Sequence, residues 1–188
     1  MMGKVDSVKK TNKLVDVLST RKAKYIIGTI LYSALGIAIP RIFHLAIGSS
    51  AGVTFLPMHL MVLVAAITFG ITSAGIVAGS SVILSYLLTG MPALARMPYM
   101  LIELVIYGVL LGLLNKKFNS YISLIVTLIL GRVIYAGVLF AAVNLFGFNG
   151  YGISVVQSVK SGIPGIIIQL ICVPFIAMWV KKGIKLDD

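Results

Sequence analysis

Three side chains that are poorly soluble in hydrocarbon lie within long apolar stretches of this 188-residue chain: Glu103, Arg132 and Gln169. A charged side chain at the centre of a membrane span costs about 2.5–3.5 kcal/mol even on the insertion scale with the lowest values. Such residues are by default candidates for a function. Glu103 and Arg132 carry opposite charges, and the Gln169 amide both donates and accepts hydrogen bonds. The three types together can hold a small polar molecule.

Aromatic and polar side chains accompany these three residues. Tyr99 and Tyr107 lie four residues before and after Glu103, which places them on the same helical face as the carboxylate. Aromatic rings around a few converging polar groups are typical of a small-molecule pocket. A buried Glu103–Arg132 ion pair that only ties two helices together is the alternative. The other predicted substrate-binding residues are Tyr135, one turn from Arg132, Asn144 further along that span, and His59.

The sequence gives little support for catalysis or for metal binding. It contains no HExxH, no GxSxG and no glycine-rich phosphate-binding loop. His44 and His59 have no neighbours with ligand character, so we expect hydrogen bonding from them rather than metal coordination. No catalytic residue, no metal and no cofactor is therefore predicted. The chain also has no nucleotide site with which to power transport itself.

The composition indicates an all-α membrane protein. The chain is 59% hydrophobic and has a mean hydropathy of +1.06, far outside the range of soluble domains. The apolar stretches do not alternate with polar residues as barrel strands do, so they favour helices. The second and third stretches are short, and a single re-entrant unit is the alternative for that pair. The six predicted transmembrane helices are 25–43, 56–71, 74–90, 98–114, 120–146 and 162–180.

The basic residues predict the orientation. Of the 16 Lys and Arg residues, all but Arg41, Arg96, Arg132 and Lys160 fall before the first span, between the fourth and fifth, or after the sixth. Because basic residues collect on the cytoplasmic side, both termini are predicted to be cytoplasmic. The net charge of +11 then faces anionic lipid and not nucleic acid. The predicted organisation is a basic N-terminal segment (1–24), a six-helix substrate-binding domain (25–180) and a tail (181–188).

With this orientation, the three polar residues share a depth. Counting 1.5 Å per residue from the outer span ends places Glu103 and Gln169 about 8–10 Å below the outer surface. Arg132 lies about 20 Å from the end of its long span, or about 14 Å deep if the helix leaves the hydrocarbon near Ala141. We therefore predict one cavity in the outer half of the membrane, covered by a first outer loop at about 44–56. Two glycines make this loop suitable as a mobile gate. The predicted gate residues are Phe43, His44, Gly48, Gly52 and Phe55.

Pairs of small residues four positions apart recur in the predicted spans. Such a pair flattens one face of a helix, so that another backbone approaches closely. Packing inside the bundle is the simpler account of such a face, and docking of a second membrane protein is the alternative. The pairs are Ala34 with Ala38, Gly75 with Gly79, and Gly108 with Gly112.

Several motifs together resemble the substrate-binding (S) components of energy-coupling factor transporters, which import vitamins into prokaryotic cells. Their order and spacing are more specific than any one of them. One departure is Ile71, where the family often has proline. The matching motifs are Ala34-xxx-Ala38, Phe55-Leu56-Pro57-Met58-His59, Phe69-Gly70-xxxx-Gly75, Thr89-Gly90-Met91-Pro92, Met100-Leu101-Ile102-Glu103-Leu104 and Tyr107-Gly108-xxx-Gly112.

The resemblance implies a function and partners. It implies a multi-pass protein of a prokaryotic cell membrane that binds a vitamin near the outer surface. It also implies a transmembrane coupling subunit, which docks on Ala34 and Ala38, and two cytoplasmic ATPases. Transport would then proceed by toppling of the S component in the membrane. The competing hypotheses are a self-sufficient secondary transporter or channel, for which we see no matching Gly/Pro interruptions in two halves, and a purely structural subunit.

Overall fold

The computed structural model describes residues 20–48, 54–94, 96–146 and 155–184, and in these ranges the regular structure is entirely helical. The predicted all-α fold is therefore confirmed, and each predicted span overlaps one helix. The helices are α1 (Arg21–Ile47), α2 (Pro57–Phe69), α3 (Ile71–Thr89), α4 (Met97–Leu114), α5 (Ser120–Phe146) and α6 (Val155–Ile184).

Five of these helices, all except α2, are long and apolar enough to cross a membrane. Helix α2 has 13 residues, a length of about 20 Å against a hydrocarbon core of about 30 Å. It is nevertheless almost completely buried, because α1, α3, α4 and α6 pack around it. A helix that is apolar on every side belongs in such a central position. By helix length and composition, the chain is a multi-pass membrane protein with α2 at its centre.

Glycines form the joints at both ends of α3. Gly70, with φ of 83°, is the only residue between α2 and α3, and Gly90, with φ of 70°, follows Thr89. Glycine adopts these left-handed values without the steric cost of a Cβ. The predicted spans left residues 72 and 73 between them, but α3 already begins at Ile71, and Ala74 N donates to Gly70 O. The joint is therefore shorter than predicted.

Contacts near the helix ends show that the starts of α1 and α3 and the end of α6 lie together. Near the start of α1, Thr29 Oγ1 lies 2.8 Å from Ser73 Oγ in the first turn of α3. Lys24 Nζ donates to Ile184 O in the last turn of α6 at 2.8 Å. We call this the basic end, since the cationic residues at the start of α1, after α4 and in the last turn of α6 lie there. The other end of the bundle is called the opposite end.

Helix α1 is longer than its predicted span of 25–43. It begins at Arg21, continues through Pro40 and ends at Ile47, where Gly48 adopts a φ of 106°. Phe43 and His44 therefore lie in the last turns of α1, and the prediction that His44 belongs to a loop is wrong. Hydropathy marks where a chain leaves hydrocarbon, whereas helical hydrogen bonding continues into the polar layer.

The glycine pair of α4 packs inside the bundle. A Cβ at Gly108 would lie 2.9 Å from Ala74 Cβ, and one at Gly112 would lie 3.0 Å from Ile71 N. Both distances leave no room for a side chain, so α4 approaches α3 through these two glycines. Internal packing therefore accounts for this pair.

The other two pairs face away from the described helices. Ala34 and Ala38 are not among the buried residues of α1. Apart from the neighbouring backbone of α3 itself, no heavy atom of the described residues lies within 4 Å of a Cβ built at Gly75 or Gly79. Packing among the described residues therefore does not account for these two faces.

Candidate functional site

The two charged residues of the predicted site meet inside the bundle. Glu103 lies in the second turn of α4 and Arg132 near the middle of α5, and Arg132 Nη1 donates to Glu103 Oε1 at 2.5 Å. The side chains are only 11% and 12% exposed. A hydrogen bond between ionised groups is stronger than a neutral one, and a surrounding of low dielectric constant strengthens it further. The depth estimate from sequence correctly indicated that these residues can reach each other.

His59, in the first turn of α2, joins this pair. Its Nε2 atom lies 3.5 Å from Glu103 Oε1, the same oxygen that Arg132 contacts. The imidazole packs edge-on against the Tyr107 ring, with 5.6 Å between centroids. The Arg132 guanidinium carbon lies 5.8 Å from the centroid of that ring, within the range of a cation–π contact. Three helices thus place Glu103, Arg132, His59 and Tyr107 in one cluster, which we call the polar cluster.

Gly131 allows this arrangement to form. A Cβ at this position would lie 2.8 Å from the Tyr107 ring, so only glycine lets the ring lie against α5 beside Arg132. Gly131 was not identified from the sequence. Its place directly before the intramembrane arginine was the one available signal, and glycine is too common within membrane spans for that signal to be specific.

Several atoms of the polar cluster are buried without a hydrogen-bond partner among the described residues. They are Nδ1 of His59, the Nε atom of Arg132, and Nε2 of His59, whose nearest partner is the 3.5 Å ion-pair contact with Glu103 Oε1. Buried polar atoms are almost always paired with protein or with water, because an unpaired one costs about 1–3 kcal/mol. The described protein groups therefore leave hydrogen-bonding capacity in the polar cluster that a further molecule can use. Tyr32, Ser81 and Thr127 have similar atoms outside the cluster.

Gln169 lies near the cluster but has a different partner. Its side chain is buried, and Nε2 donates to the backbone oxygen of Leu56 in a long hydrogen bond of 3.5 Å. Leu56 directly precedes α2, so Gln169 contacts the segment that leads into the helix of His59. The structure therefore places Gln169 at the opposite end of the bundle and gives its amide nitrogen a backbone partner.

The remaining predicted binding residues are placed to different extents. Tyr135 is buried, with 3% of its surface exposed, whereas Tyr99 is half-buried. Asn144 is within α5, but its side chain lies outside the described residues. The described residues contain no group of three His, Cys, Asp or Glu side chains that could hold a metal ion.

The predicted gate is described only in part. Phe43, near the end of α1, contacts Phe55 with 5.3 Å between ring centroids. Gly48 ends α1, while Gly52 lies outside the described residues. The two phenylalanines therefore meet at the opposite end of the bundle, and Phe55 is close in sequence to His59.

No protein-family model matches this sequence, and neither a curated protein nor a solved structure matches it significantly. The class of protein thus rests on the fold and the site. The chain is an all-α, multi-pass membrane protein with a buried cluster of charged and aromatic side chains toward one end of its bundle. The resemblance to S components remains a prediction.

Proposed function

We propose that this protein is the substrate-binding subunit of an energy-coupling factor importer, capturing a water-soluble vitamin or related micronutrient at the outer face of a prokaryotic cell membrane. The observation that carries the proposal is the polar cluster, in which Glu103, Arg132 and His59 meet beside aromatic rings and retain unpaired buried atoms. A pair that only joined α4 to α5 would be most stable with all of its polar atoms hydrogen-bonded, whereas Arg132 Nε has no partner among the described residues.

The charges of the cluster favour a solute without net charge. Glu103 and Arg132 neutralise each other, so an ion added to them would lose its hydration without gaining an unmatched counter-charge. A neutral or zwitterionic molecule avoids that cost. The Arg132 Nε–H group donates, and a neutral His59 ring both donates and accepts. A polar vitamin with a flat ring fits this set, because the ring can pack on Tyr107, Tyr99 or Tyr135 while its edge forms hydrogen bonds.

The proposed orientation places the basic end in the cytoplasm. Lys24, Lys116, Lys117, Lys181 and Lys182 belong to this end, and the positive-inside rule assigns such residues to the cytoplasmic side. The polar cluster lies toward the opposite end, near the start of α2, which is then the outer half of the membrane. This orientation agrees with capture from outside the cell.

The proposed partners are a transmembrane coupling subunit and two cytoplasmic ATPases. Ala34 and Ala38 form a small-residue face on α1 that no other described helix covers, next to exposed Leu31 and Ile27. A small-residue face allows a second helix to approach closely within a membrane. We assign this face to the coupling subunit, with lipid covering the other exposed apolar surfaces. The chain itself would then supply solute recognition, and the ATPases would supply the energy.

The binding part of the proposal is tested by identifying what the protein retains. The chain is purified in detergent, and co-purifying small molecules are identified by mass spectrometry and titrated back onto the emptied protein. We expect one net-neutral solute, bound about ten- to a hundredfold more weakly after Glu103→Gln or Arg132→Gln, the loss of one hydrogen bond to a charged group. Lys182→Gln, which removes a charge at the basic end, is the control. Unchanged affinity in both cluster variants would place the binding site elsewhere.

The transport part is tested with membrane vesicles suspended in a solution of the identified solute. With the coupling subunit and both ATPases co-expressed, we expect uptake that requires ATP hydrolysis. Uptake by the purified chain alone in liposomes would instead support the self-sufficient transporter.

A further inference from the structure

A short segment before α2 has a strained backbone. Residues 54–56, which we call the strap, directly precede Pro57, the first residue of α2, at the opposite end of the bundle. Leu56 has φ of 48° and ψ of 45°, the left-handed conformation that residues with a Cβ rarely adopt. It also precedes a proline, which disfavours helical backbone conformations and favours extended ones. A conformation of this kind persists only where the surrounding contacts hold it.

Helix α6 supplies one of those contacts through a glycine. A Cβ at Gly165 would lie 2.8 Å from both Thr54 O and the carbonyl carbon of Phe55. These are backbone atoms, which cannot rotate away as the end of a flexible side chain can. The strap therefore lies directly on α6 at Gly165, and every other residue type at this position would displace it.

Two further contacts fix the strap on either side. One turn along α6 from Gly165, Gln169 Nε2 donates to Leu56 O at 3.5 Å. On the other side, the Phe55 ring packs on Phe43 of α1. The strap is thus held between α1 and α6, and its carbonyl groups face α6.

We propose that Gly165 and Gln169 are positioning residues that hold the strap, and through it His59, in place over the polar cluster. His59 is three residues after Leu56, so a displaced strap moves the first turn of α2 and the imidazole away from Glu103. Separation of α6 from the strap then opens the cluster to solutes. This inference rests on the proposed function for its consequence, which is control of solute exchange, but the contact itself belongs to the protein without any solute.

The test measures the accessibility of His59 with a chemical probe. The purified chain in detergent is treated with diethyl pyrocarbonate, which modifies accessible imidazoles, and each site is quantified by mass spectrometry. His44, the other histidine of the chain, lies on α1 and is the internal reference. Hydrogen exchange of the peptide that covers 54–60 is followed in the same samples.

Gln169→Met roughly preserves volume but removes the donor. We expect it to raise the ratio of His59 modification to His44 modification about two- to tenfold, the effect of losing one neutral hydrogen bond. Gly165→Ala should raise it further, and Gln169→Asn should recover part of the change if its shorter amide still reaches Leu56 O. Gly137→Ala is the control, because a Cβ at this α5 position meets no atom within 4 Å among the described residues beyond the neighbouring backbone of α5. Unchanged exchange in α3 shows that a variant has kept its fold.

The outcomes separate this inference from the proposed function. A ratio unchanged in Gln169→Met and in Gly165→Ala would overturn the positioning role, even if the protein binds a vitamin. A raised ratio together with faster exchange at 54–60 supports the role, even if the protein captures no solute. A raised ratio that Gly137→Ala reproduces would show general loosening of the bundle and would overturn it.

Discussion

Removal of the Glu103 carboxylate tests what the ion pair contributes. In Glu103→Gln, the side chain keeps its size but the Arg132 guanidinium loses its counter-charge while remaining 12% exposed. Removing one partner of a buried ion pair lowers the free energy of unfolding by about 3–5 kcal/mol, mostly because the other charge stays buried without a counter-charge. For a chain of this size, each kcal/mol corresponds to about 2–4 °C, so we expect the midpoint of thermal unfolding to fall by about 6–20 °C.

The double variant Glu103→Gln/Arg132→Gln decides between pairing and binding. With both charges removed, no buried charge is left alone, and most of the lost stability should return. If the pair binds the solute as proposed, the affinity should not return, because both of the proposed binding groups are gone. Thermal unfolding in detergent, followed by circular dichroism, measures stability, and titration of the co-purified solute measures affinity in the same preparations.

Two results would refute this reasoning. If Glu103→Gln unfolds at the wild-type temperature, the pair is not the buried interaction that its geometry indicates. If the double variant regains both stability and affinity, the pair only joins α4 to α5 and takes no part in binding.

Three further predictions follow from the packing. Ala34→Trp should prevent assembly with the proposed coupling subunit while solute binding by the isolated chain is unchanged. Leu130→Trp, on the exposed side of α5, should leave both assembly and solute binding unchanged, as co-purification of the complex and titration of the solute would show. Gly108→Val should destabilise the protein by about 1–3 kcal/mol through overpacking against Ala74, while Gly75→Val, which meets open space, should change thermal stability far less. Gly48→Ala should cost about 1–3 kcal/mol, because φ of 106° is strained for alanine, and should speed hydrogen exchange in the last turn of α1.

Part of the site was predictable because hydrocarbon penalises the residues that form it. A lone glutamate and a lone arginine in separate spans have few stable options other than each other. Counting residues from the span ends allowed them to share a level if the fifth helix leaves the hydrocarbon near Ala141. The tyrosines followed from the helical period around Glu103. These inferences needed only local spacing and the thickness of a bilayer.

The rest depended on contacts between distant segments. Gly131 and Gly165 matter because of the ring and the backbone that approach them, and the sequence shows neither neighbour. The left-handed backbone conformation of Leu56 is imposed by its surroundings, and a leucine in the sequence does not predict it. The contact of His59 with Glu103 required α2 to begin at Pro57 and to lie at the centre of the bundle, whereas apolar composition alone did not distinguish a central helix from a lipid-facing one.

The short length of α2 accounts for the position of the polar cluster away from the basic end. The last residue of α2, Phe69, packs on Tyr25 and Tyr32 of α1, so this end of the helix is fixed near the basic end. Measured from Phe69, a helix of about 20 Å reaches a point about 10 Å short of the far boundary of a 30 Å hydrocarbon core. His59, in its first turn, is therefore carried to that depth, where Glu103 and Arg132 can reach it. A full-length central helix would bring its first turn to the boundary itself, where water would satisfy the three side chains and no buried cluster would form.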